Sequence, residues 1–248
     1  MLVYDFPLTP KARTYLKFES IFKRMEECRG LNTYSEIMSF LRGVIDYMDL
    51  VDGSGALKID ITKDLEKLDG RLRNWSQDPE ADQGLISELR TAIQTSYQSL
   101  EKFTRQRTVL RDDMIIGSVK PRFLTPCGVN SFDTPLFAFW CSLPVTEKQQ
   151  QADKWLYELD TIRTPVATIL YLWRLCSEYQ IRVATRGFMK ETVDPCELIS
   201  IRYPDGVRGY PVVSGFQTSL NVRFLPYVRG AEVGDIEFEI AYIRGGLL

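Results

Sequence analysis

The sequence contains no histidine among its 248 residues. Histidine is the side chain that most often transfers protons near neutral pH, and it is also the commonest ligand of transition metals. Its absence excludes Ser-His and Cys-His catalysis and leaves carboxylates as the main candidates for a metal site. The two glycine-rich phosphate-binding motifs, G-x-G-x-x-G and G-x-x-x-x-G-K-[S/T], are absent as well. We therefore expect no cofactor, no metal and no nucleotide site.

Long apolar runs and closely spaced cysteines are also missing. The longest apolar candidates, 135–143 and 166–173, are less than half of the roughly 20 residues that cross a bilayer. The five cysteines are widely spaced and include no C-x-x-C pair, which is typical of a reducing compartment. The N-terminus has no signal-peptide pattern. These features predict a cytoplasmic protein without membrane insertion.

The charge balance argues against nucleic acid as a partner. The chain has 31 basic and 33 acidic residues and a pI of about 5.5. A protein that binds phosphate backbones normally carries a basic patch or stripe with a high pI. We therefore predict no nucleic-acid binding.

Apolar residues recur at helical spacing through the first two-thirds of the chain. Thr9-Pro10 predicts one helix start, and the capping box of Thr33 and Glu36 predicts another. Pro135 opens a short apolar helix that Pro144 closes. The predicted helices cover about 10–28, 33–51, 65–75, 85–103, 135–143, 146–158 and 160–179.

The apolar period changes from helical to two after Gln180. Alternation over 199–203, 220–224 and 236–242, together with the run 181–189, predicts one antiparallel sheet of four or more strands. Residues 2–6 can join this sheet as an edge strand. The fold class is therefore α+β.

The domain organisation follows from these two patterns. We predict an N-terminal α-helical domain, a helix bundle, over residues 8–179. A smaller antiparallel β domain over 180–248 follows at the C-terminal end, joined by the strand 2–6.

Several basic residues stand on otherwise apolar or β scaffolding. Arg13 and Lys17 lie four residues apart and therefore share a helix face, Arg42 lies in the second predicted helix, and Arg223 lies on a strand. Composition alone favours a solvated surface for these residues, and a binding site is the alternative.

Several segments, taken in order and spacing, resemble the ZapD family of bacterial division proteins, which cross-link filaments of the tubulin-like protein FtsZ. The resemblance spans nearly the whole chain. It rests on Pro7-Leu8, Arg13-Thr14-Tyr15-Leu16, Phe40-Leu41-Arg42, Ser131-Phe132-Asp133 with 135–140, Ser214-Gly215, 222–226 and 236–239.

The resemblance implies a homodimer that recognises the C-terminal tail of FtsZ without catalysis. Arg13 and Arg223 correspond to basic residues with which family members engage that tail, and Arg42 matches a recurrent arginine. Lys58 is the base nearest to an arginine expected between the second and third helices. The sequence departs from the pattern at two positions, where Ser219 replaces a possible arginine and Ala138 a possible histidine.

The sequence leaves three hypotheses for the function. The first is a non-enzymatic cell division factor that bundles FtsZ filaments through Arg13, Lys17, Arg42, Lys58 and Arg223, and so stabilises the Z ring at mid-cell. The second is a scaffold for a different protein. The third is a hydrolase that uses carboxylates only, because two acids distant in sequence can meet across a cleft.

Overall fold

The computed structural model describes residues 1–104, 108–216 and 218–245. Helices occupy the first part of the chain and antiparallel strands the C-terminal part, which confirms the α+β class. The helices are α1 (Pro10–Glu27), α2 (Tyr34–Gly53), α3 (Leu57–Trp75), α4 (Gln83–Glu101), α5 (Thr108–Arg111), α6 (Met114–Val119), α7 (Pro135–Ser142) and α8 (Val145–Leu175), with a 3-10 turn at Lys120–Arg122. The strands are β1 (Leu2–Pro7), β2 (Tyr179–Ala184), β3 (Phe188–Thr192), β4 (Leu198–Tyr203), β5 (Gly209–Phe216), β6 (Ser219–Pro226) and β7 (Ile236–Ile243).

The chain divides into two compact units. Residues 17–169 form the helical unit, and residues 1–16 together with those from 170 onward form the sheet unit. The first turns of α1 and the end of α8 thus belong with the strands. Within the sheet unit the Tyr15 ring lies 5.6 Å from that of Trp173, and Arg174 binds Asp5 at 2.6 Å. The predicted domains, 8–179 and 180–248, end where the periodicity changes, and they stay a prediction.

The start of α2 is where the sequence predicted it. The Thr33 hydroxyl accepts a hydrogen bond from the backbone N–H of Glu36 at 3.2 Å. The Glu36 carboxylate accepts in turn from the backbone N–H of Asn32 at 2.7 Å. The first bond satisfies a donor that a helix start otherwise leaves without a partner, and the second ties the residue before the cap to the first turn.

The helices α3 and α4 pack against each other. The carboxylate of Asp69, buried on α3, accepts hydrogen bonds from Arg73 on α3 at 2.5 Å and from Arg90 on α4 at 3.0 Å. A buried carboxylate is costly unless it is paired in this way. Asp69 therefore fixes the position of α4 along α3.

The prediction of two helices over 146–158 and 160–179 is wrong. A single helix, α8, runs from Val145 to Leu175 and contains Pro165. No glycine interrupts the region around residue 159, and Trp155, Leu159, Ile162 and Val166 form one continuous buried face. Burial along this face favours an uninterrupted helix over the local break that the sequence indicated.

The prediction of a single sheet is also wrong, because the strands form two sheets. The first sheet has the order β1-β4-β7-β2, and the second sheet has the order β3-β6-β5. The predicted run 181–189 is split by a turn at Arg186 and Gly187, whose φ angles are +49° and +72°. A Cβ atom at Gly187 would lie 3.0 Å from the backbone oxygen of Phe224, so glycine is required there. The turn sends β3 into the second sheet.

The two sheets share one apolar core. Ile201, Phe238 and Ile240 come from the first sheet, and Val222 and Phe224 from the second. The edge strand expected at residues 2–6 is present, since β1 pairs antiparallel with β4. This core fixes which side of each strand faces solvent.

A polar cluster links the two sheets at the edge of this core. Glu191 on β3 accepts hydrogen bonds from Arg182 on β2 at 3.1 Å and from the Tyr242 hydroxyl on β7 at 2.5 Å. The hydrogen bond from Arg182 is the main cause that lowers the pKa of Glu191, and burial opposes it. Burial and the bond to Glu191 raise the pKa of Tyr242.

Substitution of Glu191 with glutamine should weaken the sheet unit in a pH-dependent manner. The pKa of Glu191 is lowered in the folded state, so its stabilisation is present above its usual pKa of about 4.5 and is lost as the pH falls through the lower folded value. We expect E191Q to reduce the free energy of unfolding at pH 7 by about 1–2 kcal/mol and to have a smaller effect in acid. Urea titrations between pH 3 and 7 measure this.

Glu237→Gln, on an exposed position of β7, is the matched control and should leave stability unchanged. An equal effect of E191Q at every pH would contradict the role of the Glu191 charge.

Candidate functional site

The structure brings two of the five predicted cations together. Lys17 on α1 and Arg42 on α2 line one groove of the helical unit. Lys58 is exposed in the first turn of α3 and does not line this groove. Arg13, exposed on α1, and Arg223, exposed on β6, belong to the sheet unit.

The α1–α2 groove, defined by Lys17, Arg24, Arg42, Asp46 and Asp49, has a volume of about 450 Å³. Three of these side chains are cationic and two are acidic. Lys17 and Arg24 are seven residues apart on α1, and Arg42 and Asp46 are four apart on α2, so each pair lies on one helix face. The groove is therefore built from two facing stripes of charge.

Asp46 holds both arginines of the groove in place. Its Oδ2 atom accepts from Nη2 of Arg24 at 2.6 Å, and its Oδ1 atom accepts from Nε of Arg42 at 2.7 Å. The Arg42 guanidinium also lies 5.7 Å from the centre of the Phe123 ring. These contacts restrict the rotamers of both arginines. The two side chains therefore lose little conformational entropy when a carboxylate binds them.

Lys17 differs from these arginines because neither acid of the groove binds it. Asp46 binds the arginines, and Asp49 binds Lys120 at 2.7 Å. Within residues 1–104, 108–216 and 218–245, Lys17 has no ion-pair partner. It is the cation of the groove that is available to an incoming carboxylate.

Arg223 occupies a different setting. It lies on β6 opposite Phe188 of β3 and Val212 of β5, and it is exposed. The second sheet therefore presents an arginine on a solvent-facing surface.

The two positions that depart from the family pattern belong to different units of the fold. Ser219 begins β6, and Ala138 is half-buried on α7.

Two of the five thiols are poor nucleophiles near neutral pH. Burial raises the pKa values of Cys141 and Cys196 to about 11, so both stay protonated near neutral pH. Asp113, one of two neighbouring acids in the sequence, caps α6 by accepting from the backbone N–H groups of Ile115 and Ile116. Across the described ranges, no group of three or more Cys, Asp or Glu residues could hold a metal ion.

Arg24 and Asp46 were missed by the sequence reasoning. Helical spacing could have indicated both residues, because Arg24 shares a face with Lys17, and Asp46 stands four residues after Arg42. What the sequence did not indicate was that α1 and α2 place these faces opposite each other.

The sequence model of the family described as "ZapD: Cell division protein" matches residues 16–223. The chain belongs to the ZapD family. A Cell division protein ZapD from Photobacterium profundum is 30% identical over 239 residues, which cover 96% of this chain and 97% of the relative. The ZapD of Yersinia enterocolitica is 28% identical, with 97% and 96% covered, and that of Klebsiella pneumoniae strain 342 is 29% identical, with 97% and 98% covered.

The ZapD match contains four of the five predicted site residues, Lys17, Arg42, Lys58 and Arg223, and Arg13 precedes it. The family is one of cell division proteins. No helix in the described part of the chain is both long and apolar enough to cross a bilayer.

Replacement of Asp46 with asparagine should loosen the α1–α2 groove. Loss of the charge weakens two hydrogen bonds to guanidinium groups, and we expect the free energy of unfolding to fall by about 1–2 kcal/mol. Urea denaturation measures the change. Asp49→Asn is the control, because its exposed pair with Lys120 should contribute less than about 1 kcal/mol. Equal losses in both variants would argue against Asp46 as the residue that orders the groove.

Proposed function

We propose that this member of the ZapD family is a non-enzymatic cell division factor that binds the C-terminal tail of FtsZ and cross-links FtsZ filaments. It would act as a homodimer in the cytoplasm at mid-cell and stabilise the Z ring there. The observation that carries this proposal is the match of the family of cell division proteins to residues 16–223.

Four of the five predicted site cations support the proposal chemically. Arg13, Lys17, Lys58 and Arg223 are exposed, and none of them has an ion-pair partner in the part of the chain that the structure describes. Guanidinium and ammonium groups of this kind form charge-assisted hydrogen bonds with carboxylates of an extended peptide. Arg42 would contribute as an arginine that Asp46 already orients.

Cross-linking does not require a strong single contact. A flexible tail loses conformational freedom when it binds, so each contact is weakened. A homodimer with two tail sites can bridge two filaments that display many tails. Avidity can then exceed the affinity of one contact by about 10² to 10⁴.

Nothing in the part of the chain that the structure describes favours the carboxylate-only hydrolase. A general acid needs a carboxyl whose pKa is raised. Glu191 does not supply one, because the hydrogen bond from Arg182 lowers its pKa. A scaffold for another protein differs from the leading proposal in its partner alone. Pull-down from a bacterial lysate, with FtsZ or another protein recovered, separates the two.

Bundling of FtsZ is the direct measurement. We expect purified protein mixed with GTP-assembled FtsZ to increase the amount of polymer that sediments at low speed. FtsZ that lacks its C-terminal tail should show no increase. Absence of bundles at several protein ratios, or bundling that does not need the tail, would contradict the proposal.

Substitution of Arg223 with alanine should weaken binding of a tail peptide by about tenfold, as expected for one charge-assisted hydrogen bond. Because Arg223 is exposed, the melting temperature should stay nearly constant. Lys102→Ala removes one positive charge at an exposed position outside the predicted site and serves as the control in calorimetric titrations. Normal binding by R223A would remove Arg223 from the site.

A further inference from the structure

The second sheet has an outer face that the proposed function does not fully use. In each of β3, β5 and β6, alternate residues such as Met189, Val213 and Val222 are buried in the core. The residues between them point away from that core and form the outer face. They include Phe188, Lys190, Tyr210, Val212, Asn221 and Arg223.

Three large apolar or aromatic side chains are exposed on this face. Phe188 is 47%, Tyr210 is 49% and Val212 is 42% exposed. A sheet with one solvated face normally carries polar side chains there. An exposed group of large apolar residues is typical of a surface that binds another molecule.

The strand register places Arg223 between two of these residues. Arg223 pairs directly with Phe188 on one side and with Val212 on the other. Side chains directly opposite on neighbouring strands have Cβ atoms about 5 Å apart. One row of side chains across the sheet therefore consists of Phe188, Arg223 and Val212, a cation between two apolar residues.

The charge on this face has one sign. Lys190 lies two residues from Phe188 on β3, opposite Asn221. No aspartate or glutamate occupies an outward position in the described parts of β3, β5 and β6, and neither Arg223 nor Lys190 has an ion-pair partner among the described residues. The face thus offers two free cations to an acidic ligand.

We infer that the outer face of the second sheet docks an extended peptide in which an acidic residue stands between large apolar residues. Arg223 binds the carboxylate, and Phe188 and Val212 pack against the apolar side chains on either side. The inference rests on the proposed function, because it names the side chains that receive the apolar residues of the tail.

A second copy of this chain fits the face less well. Two outer faces that met across a twofold axis would bring arginines and lysines together with no carboxylate from either face. Like charges in an interface oppose association. The charge pattern therefore favours a partner that carries the acidic groups itself.

Two substitutions separate the apolar contacts from the charge. Phe188→Thr and Val212→Thr keep residues that favour strands but remove most of the apolar surface. We expect each substitution to weaken binding of the FtsZ tail peptide about fivefold in calorimetric titrations. Val183→Thr, at a 49% exposed valine on β2 of the first sheet, is the matched control and should bind normally.

A second peptide makes the test specific. In this peptide serine replaces every large apolar residue of the tail, and the acidic residues are kept. F188T and V212T should not weaken its binding further, because the contact that they remove is already absent. Circular dichroism and melting temperatures close to those of the unmodified protein establish that the variants fold.

The possible outcomes decide between the inference and the proposed function. If the unmodified protein does not bind the tail, the proposed function fails, and the inference fails with it. If the tail binds and only R223A weakens it, the inference alone is overturned. A change of oligomeric state in F188T or V212T, measured by sedimentation velocity without a change in tail affinity, would mean that a second copy covers the face, and it would also overturn the inference.

Discussion

The sheet unit depends on the burial of one face of each of its two sheets against the other. Ile201 and Phe238 of the first sheet and Val222 and Phe224 of the second lie in this common core. Because side chains alternate along a strand, the burial of Val222 and Phe224 obliges Arg223 to face solvent. A slip of one residue in the register would bury the guanidinium and expose the core. The position of the predicted binding arginine is thus a consequence of the packing.

The helical unit places its charges by a different route. There Asp46 accepts hydrogen bonds from Arg24 and Arg42 and so orders two cations that would otherwise repel each other. Such an arrangement lowers the entropy that a ligand must overcome when it binds the arginines. Lys17 in the same groove remains free of an ion pair among the described residues, and it is suited to long-range attraction of an acidic segment.

The two settings differ in the kind of recognition that they allow. The α1–α2 groove offers mainly charge, so binding there would weaken as salt increases. The outer face of the second sheet adds apolar surface to Arg223 and Lys190, and the apolar contribution is not weakened by electrostatic screening. A tail with both acidic and apolar residues could be distinguished on that face from a segment that is acidic only.

The sequence by itself determined the features that depend on neighbours along the chain. The cap at Thr33 and the alternation in β4, β6 and β7 each predicted what the structure contains, because capping and amphipathic periodicity are local. The resemblance to the ZapD family was confirmed over residues 16–223.

Only the tertiary structure decided the features that join distant residues. It set the division of the strands into two sheets, the continuity of α8, the capture of Arg42 by an aspartate that also binds Arg24, and the flanking of Arg223 by Phe188 and Val212. Strand order, ion pairs between helices and the exposure of an apolar side chain all result from which surfaces meet in three dimensions. Local periodicity indicates which face of a helix or strand is buried, and it does not indicate which other element covers that face.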